Sequence, residues 1–540
     1  MSPRARRGIL ALVTAVTAAS CGGADTGAAG SGCVALVALT AADVELVIAQ
    51  GVTQAAALGL DAVLAVSDRE GNVLGVWRTP GATAAAGYDE DDAISAAGTA
   101  AYFASNQDAF TTRTALFIIQ NHFPPGLANT PGGPLFGVQF SNRVAADEAG
   151  EPQLTSDVNV IGRDMSGVPA GEGITGLFVP GGGGGVPLFK GGCAAGGVGV
   201  SGSAVAAVDP IELERIAVAA SAGFEAPAAI RATGILLDGI RLPFTEAKPV
   251  EDGATLPFAG LPGALDPAFP TRDSPPPVPY PIATLGGVTG ELRYPIVDSP
   301  LADPVKLLAA DVTAILAAAA ERSQQIRAAI RRPLGSAMQC FIAVVDRAGN
   351  VLGVFRTPDA TLFSYDVAVQ KARTAAFFSE DAHAYTTRAL GFLAQGLFPP
   401  GIDHTPPGPL HGLQGSLTLA GETVSGRLLN GITVFPGGVP LYKAGVMVGA
   451  IGVSGDGVDQ DDLTADGGAG AGFQAPESVR CDFLSAADAV AGLDAALERM
   501  ATLSLDVDVL AEIAARRVDV AQGFQGLRLP WLKFPRNPYR

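Results

Sequence analysis

Side chains able to do chemistry are sparse in this sequence. Four histidines serve 540 residues: His122, His383, His404 and His411. Imidazole is the common metal ligand and the common base near neutral pH, and three of the four lie in the second half of the chain, near Tyr385 and Lys371. Ser201 and Ser454 each sit in Gly-Val-Ser-Gly, which is not the Gly-x-Ser-x-Gly nucleophile elbow. The glycine-rich runs 181–185 and 449–455 lack the Gly-Lys-Ser/Thr ending of a phosphate loop, so close packing and turns are their expected role. His-Glu-x-x-His and Cys-x-x-Cys are absent. Asp68 and Asp346 stand at tight turns, where an aspartate either caps backbone N–H groups or offers itself as an acid or metal ligand. Arg78 and Arg356 follow them, and their forks match a carboxylate, either of a ligand or of an internal acid. Lys190 and Lys443 recur at strand ends. No set of acid, base and nucleophile recurs, which points to binding or interaction more than to catalysis.

Many of these groups come in pairs because the chain repeats itself. Residues 65–82, AVSDREGNVLGVWRTPGA, return at 343–360 as AVVDRAGNVLGVFRTPDA with 14 of 18 positions identical. A near-copy so far away marks an internal repeat. Each copy has two apolar runs around an Asp-x-x-Gly-Asn turn, the pattern of a β-hairpin. A second shared stretch, 184–202 and 437–455, agrees at 12 of 19 positions and reads as strand, turn, strand. Thr40 caps a helix expected to reach about Leu58, answered by one from Ala309 to about Arg331. Alanine-rich helices over 88–108 and around 371–378 lead to Thr-Thr-Arg and Phe-Pro-Pro-Gly in both copies, followed by irregular excursions. A further helix comes after Asp209-Pro210, and a helical insertion at about 482–522 belongs to the second copy alone. Helix, hairpin, two helices, hairpin and helix predict α+β units with antiparallel sheets. The expected organisation is a leader at 1–21, a tether at 22–34, a first domain at 35–247, a Pro/Gly-rich linker at 248–304 acting as a spacer, and a second domain at 305–540.

With 53 acidic and 35 basic residues the chain carries −18. That balance repels phosphate backbones and excludes nucleic acid as a partner. Arg4, Arg6 and Arg7 precede a short apolar stretch that ends Ala18-Ala19-Ser20-Cys21. This resembles a bacterial lipobox, with lipidation expected on Cys21; a conventional secretory signal is the alternative, and both export the protein. The expected location is extracytoplasmic, as a lipoprotein anchored to the membrane on its periplasmic side or at the cell surface. Export permits disulfides. None of Cys33, Cys193, Cys340 and Cys481 recurs at a matching position, so any bridge belongs to one copy.

The order of these motifs resembles the haem-binding HbpS/GlcG-like family, which includes the C-terminal domain of a corrinoid adenosyltransferase. The second copy carries the resemblance best, in Val345, Asp346, Gly349, Asn350 and Arg356, in Lys371 to Phe378, in Gly437 to Leu441 and in Val448 to Gly455. The first keeps Asp68, Gly71, Asn72 and Arg78 but has Ala96 where Lys371 stands. The resemblance implies two tandem profilin-like units, each a five-stranded antiparallel sheet with flanking helices, binding haem, a corrinoid or another small molecule. Haem needs an axial ligand. Since no histidine recurs, the pocket is expected in the second copy, with His383 and His411 as metal ligands and Tyr385, Lys371 and Arg356 around them; Arg78 is the matching residue of the first copy. Covalent haem attachment is not expected, for Cys-x-x-Cys-His is absent. Two other readings stand beside this one. The protein is a non-catalytic structural or sensor-interaction module whose repeats pack as a pseudo-dimer, with a membrane sensor as partner. Or it is an enzyme acting on peroxide through bound haem.

Overall fold

The structure is a computed structural model. It describes residue 33 and residues 37–532, apart from 121, 125, 128–129, 131, 137, 139–183, 207, 238, 251–253, 277–279, 400–401, 403, 415–427, 429, 504–509 and 518–527. The expected leader with Cys21, and the tether except Cys33, lie outside the described residues, as does part of the 482–522 insertion.

Helix α1 (Ala41–Leu58) begins at a reciprocal cap: Thr40 accepts from the Asp43 amide, and Asp43 accepts from the Thr40 amide at 2.7 Å. It ends at Gly59 in the left-handed conformation. Strands β1 (Val63–Asp68) and β2 (Val73–Arg78) form the first hairpin. Asp68 Oδ1 accepts from the amides of Glu70 and Asn72, both at 2.9 Å, and Gly71 takes φ 86° between them. Then follow α2 (Glu90–Tyr102), α3 (Thr112–Ile118), β3 (Val186–Lys190), β4 (Cys193–Ser201), α4 (Pro210–Ala220), β5 (Leu236–Leu237) and β6 (Ile240–Arg241). Three more strands come next: β7 (Ala264–Leu265), β8 (Ile282–Leu285) and β9 (Val288–Tyr294). The second unit repeats the order with α5 (Ala309–Gln324), β10 (Cys340–Asp346), β11 (Val351–Arg356), α6 (Ser364–Phe378), α7 (Thr387–Leu393), β12 (Gly438–Lys443), β13 (Val446–Gly455) and α8 (Val458–Ala469). It adds α9 (Ala486–Ala501). Asp346 caps its turn as Asp68 does, accepting from the Ala348 and Asn350 amides at 2.9 and 3.1 Å. Both aspartates are therefore turn caps.

Each unit is α+β with an antiparallel sheet. The strand orders are β3-β4-β1-β2-β7 and β12-β13-β10-β11-β9-β8. The two motif hairpins supply four strands of each sheet in the same order, and equivalent residues pair: Ala65 with Gly199, Ala343 with Gly452. The rest comes from the segment expected to be a spacer, and that expectation is corrected. β7 extends the first sheet beside β2, while the β8–β9 hairpin extends the second beside β11 and makes it six-stranded. Proline suits the bounds of edge strands, which need no donor on their outer side.

The glycines of β4 and β13 have a packing role. A Cβ on Gly199 would lie 2.0 Å from the Ala93 carbonyl of α2, and one on Gly452 would lie 2.0 Å from the Ala368 carbonyl of α6. The helices thus lie directly on their strands. On the other faces, α1 and α4 share a core with the first sheet, and α5 and α8 with the second. The faces carrying α2 and α6 merge into one apolar cluster spanning both units, from Val63 and Ala97 to Phe341 and Val369. Both sheets are covered on both faces, so their central strands are apolar almost throughout rather than alternating. At the seam Phe103 and Phe363 stack at 4.1 Å, a contact worth about 0.5–1.5 kcal/mol beyond its area.

Candidate functional site

The residues expected to hold a ligand, His383, His411, Tyr385, Lys371, Arg356 and Arg78, do not gather in one pocket; of these, His383 and Tyr385 are neighbours, both against Gly492 of α9. Lys371 is a fully buried residue of α6, and its ammonium donates to Asp461 Oδ2 and to the Val453 carbonyl, both at 2.8 Å, and faces the Phe435 ring. Burial lowers the lysine pKa and pushes Asp461 up to about 7, against the pull of the pair itself. Lys371 is a structural ion pair. Tyr385 is also buried, its hydroxyl donating to the Ala489 carbonyl of α9 at 2.6 Å. Burial raises its pKa, so phenolate ligation is disfavoured. His383 is 17% exposed and holds Glu380 through Nδ1 at 3.2 Å. His411 sits elsewhere, with Nδ1 on the Ala394 carbonyl at 3.1 Å. Among the described residues no three His, Cys, Asp or Glu side chains gather as a metal centre.

Of the two partners expected for the arginine forks, a ligand's carboxylate or an internal acid, both arginines meet internal acids. Arg356 donates through Nε and a terminal nitrogen to the Ala360 carbonyl at 3.1 and 2.7 Å, and meets Glu291 of β9 at 3.3 Å. Burial, aided by neighbouring Arg293, lowers its pKa to about 10. Arg78 pairs with Glu90 and, at 3.2 Å, with Asp266. Lys190 and Lys443 each pair with the first-turn aspartate of their unit's first helix, Asp43 and Asp311.

An open space lies between the units. A cavity of about 190 Å³ is walled by Phe103, Phe110 and Leu242 of the first unit and by Phe363 and Val458 of the second. Asp108 lines it from the loop between α2 and α3. Ser105 donates to Asp108 Oδ1, while Oδ2 is buried without a hydrogen-bond partner. Burial pushes the Asp108 carboxyl up to about 7, with Arg331 opposing the rise. Arg331 is the hub beneath. It donates to Asp456 through Nε, to Asp359 Oδ2 at 2.9 Å and to Ser105 Oγ at 3.2 Å. Arg69 of the first hairpin turn reaches the same Asp359 at 2.6 Å. Two carboxyls of one unit and one of the other therefore surround a single guanidinium.

Sequence reasoning missed Asp108, Arg331 and Asp359 as site residues. Their only sequence signal was that Asp108 matches His383. The structure bears out that match, since Ala109 bridges Arg231 as Ala384 bridges Arg480.

Haem does not fit this cavity. Its described lining contains no His, Met, Cys or Tyr to serve as axial ligand, and its volume falls below the roughly 300–1,000 Å³ of ordinary cofactor sites. An apolar cavity of about 150 Å³ holds a benzene-sized molecule, and one partnerless carboxyl adds a polar handle to the present one.

Known proteins are similar to part of this chain. A sequence model of the HbpS-like family, described as haem degrading protein HbpS-like, matches residues 309–469. An uncharacterised 15.0 kDa protein of the dhaT–dhaS intergenic region of Citrobacter freundii is 33% identical over 155 residues, which are 28% of this chain and 88% of that protein. The corrinoid adenosyltransferase PduO of Salmonella typhimurium is 29% identical over 159 residues, covering 29% of this chain and 36% of the enzyme. This chain thus spans about a third of that enzyme's length. Among solved structures, a PduOC–haem complex is 27% identical with a TM-score of 0.23, covering 31% of this chain and 95% of the other. HbpS itself is 25% identical with a TM-score of 0.22, covering 32% of this chain and 93% of the other. The chain belongs to the HbpS-like family. Corrinoid- and haem-related proteins both occur among its relatives.

Proposed function

We propose that this protein is an exported, lipid-anchored binding module that takes a small apolar molecule bearing a hydrogen-bond donor or a positive charge in the cavity between its two repeats. The buried, partnerless Asp108 Oδ2 in the apolar wall carries this reading, because a lone acceptor in such a place gains most from a ligand that satisfies it. The disulfide Cys33–Cys193 supports the export reading, since such bonds persist in oxidising compartments. Small molecules bound by relatives are consistent with a binding role, though a family tetrapyrrole would need another place in this chain. The Arg331 hub favours a second, structural contribution: it fixes the two repeats against each other and so fixes the cavity.

Titration calorimetry with a small aromatic amine such as benzylamine tests the assignment. Saturable binding is expected, weakened by Asp108→Asn and abolished by Ala329→Leu, which fills the cavity. Parallel titrations with haem and cobalamin are expected to give no change in the Soret or corrin bands that depends on residue 329. Amine binding unaltered by Ala329→Leu, or haem binding lost with it, would overturn the reading.

A further inference from the structure

We propose that His122 of the first repeat and His411 of the second form a two-histidine site for a borderline divalent metal ion, Zn²⁺, Ni²⁺ or Cu²⁺, at the seam between the repeats. The two histidines are not equivalent in sequence: Leu397 matches His122 and Phe136 matches His411. Packing of one repeat on the other nevertheless brings both rings to Gly396. A Cβ placed there would lie 3.6 Å from His122 Cε1 and 3.7 Å from His411 Cε1. Both rings therefore border the same small space, which the glycine leaves open.

The hydrogen bonds leave Nε2 of each ring as the ligating nitrogen. His122 Nδ1 meets the Thr130 carbonyl at 2.7 Å and His411 Nδ1 meets the Ala394 carbonyl at 3.1 Å. A carbonyl only accepts, so each Nδ1 carries the proton and each Nε2 keeps its lone pair. That is the arrangement metal-binding histidines adopt, with the far nitrogen tied to a backbone carbonyl. Neither Nε2 is hydrogen-bonded among the described residues. The local frame crosses the seam as well: the Gly132 amide of the first repeat donates to Gln395 Oε1 of the second at 3.2 Å. Arg516 holds the His411 carbonyl and is paired with Glu512, so its charge is compensated. Two imidazoles without a third protein ligand suit ions that favour nitrogen, with metal–nitrogen bonds of about 2.0–2.1 Å and water at the remaining positions. The site is separate from the Asp108 cavity and does not rest on its ligand.

Calorimetry of the untagged full chain with ZnCl₂, NiCl₂ and CuCl₂ tests the proposal. One ion per chain is expected, with a metal-dependent rise in melting temperature. His122→Ala and His411→Ala should each weaken binding at least about tenfold, while His404→Ala should not. Melting without metal shows that each variant folds. With Cu²⁺, electron paramagnetic resonance should show two imidazole nitrogens in the parent and one in each single variant. Stoichiometric binding that survives the double substitution overturns the site, as does the absence of saturable binding with all three ions.

Discussion

The same loop is built twice in this protein and closed in two ways. In the first repeat, residues 105–110 are covered by the second repeat, and a cavity remains beside Phe103, Asp108 and Phe110. In the second repeat, the matching residues 380–385 are covered by α9, the added helix. Gly492 of α9 comes so close that a Cβ on it would lie 2.5 Å from the Tyr385 hydroxyl and 2.7 Å from His383 Cγ. Arg499 of α9 pins Glu380 at 3.0 Å and the Phe377 carbonyl at 3.0 Å. Histidine and tyrosine made the second copy look like the ligand site, yet there they anchor a helix. The place kept open is the matching one in the first copy, with a phenylalanine and an aspartate.

A second difference shows how the repeats diverged without losing the fold. Arg113–Glu214 and Arg388–Asp462 are matching ion pairs, which aligns α4 with α8 and sets Leu213 opposite Asp461. Lys371–Asp461 in one copy is thus Ala96–Leu213 in the other, and all four residues are buried. The copies differ at both positions together, as expected where a buried charge left alone is costly and an apolar pair in the same place is not.

The largest effect is expected here. Lys371→Ala should cost about 3–5 kcal/mol by leaving Asp461 buried and uncompensated. Lys371→Ala with Asp461→Leu, which copies the first repeat, should regain most of that loss in urea unfolding. A double variant as unstable as the single one would show that the repeats are not interchangeable at this position. A smaller effect separates the two loops. Gly492→Ala should lower stability by about 1–3 kcal/mol through overpacking, less the gain of about 1 kcal/mol from alanine's helix propensity. Ala329→Leu, entering the open cavity, should leave the melting temperature unchanged or higher. Equal losses in both would mean that the first loop is sealed as tightly as the second.

Asp108 acts through pH. Its carboxyl is raised to about 7 in the folded protein by burial, against about 3.9 unfolded. Between these values the folded chain binds more protons than the unfolded one, so this group makes stability fall as pH rises from about 4 to about 7. Asp461 acts in the same sense over the same window. Glu70 acts in the opposite sense: burial opposes ionisation, but Arg293 and its neighbours hold it at about 2, so its contribution is lost as pH falls from the usual glutamate range toward about 2. Asp108→Asn should flatten the decline between pH 4 and 7 by up to about 1.4 kcal/mol per pH unit. Unchanged slope in the variant would place the Asp108 proton elsewhere.

The sequence by itself determined the repeat, the α+β class, the two hairpins and the turn-capping role of Asp68 and Asp346. These are local: alternation of apolar runs, a glycine able to take positive φ and an aspartate whose own amides lie two and four residues on. Lys190 and Lys443 also recur in both copies, but the aspartates they meet, Asp43 and Asp311, lie 147 and 132 residues away, so those pairings belong to the tertiary structure. Only the tertiary structure decided the rest. Strand β7 and the β8–β9 hairpin were hidden in a Pro-rich segment, because β7 and β9 join sheet edges formed elsewhere in the chain, at β2 and β11. Arg331, Asp359 and Asp108 converge from separate segments, and His122 and His411 both come to Gly396 although neither has a counterpart in the other repeat. Such meetings depend on how one repeat is turned against the other, which no pattern within a repeat encodes. The histidines and tyrosine that suggested a pocket were legible as residue types, but whether a cavity or a helix stood before them was set by packing alone.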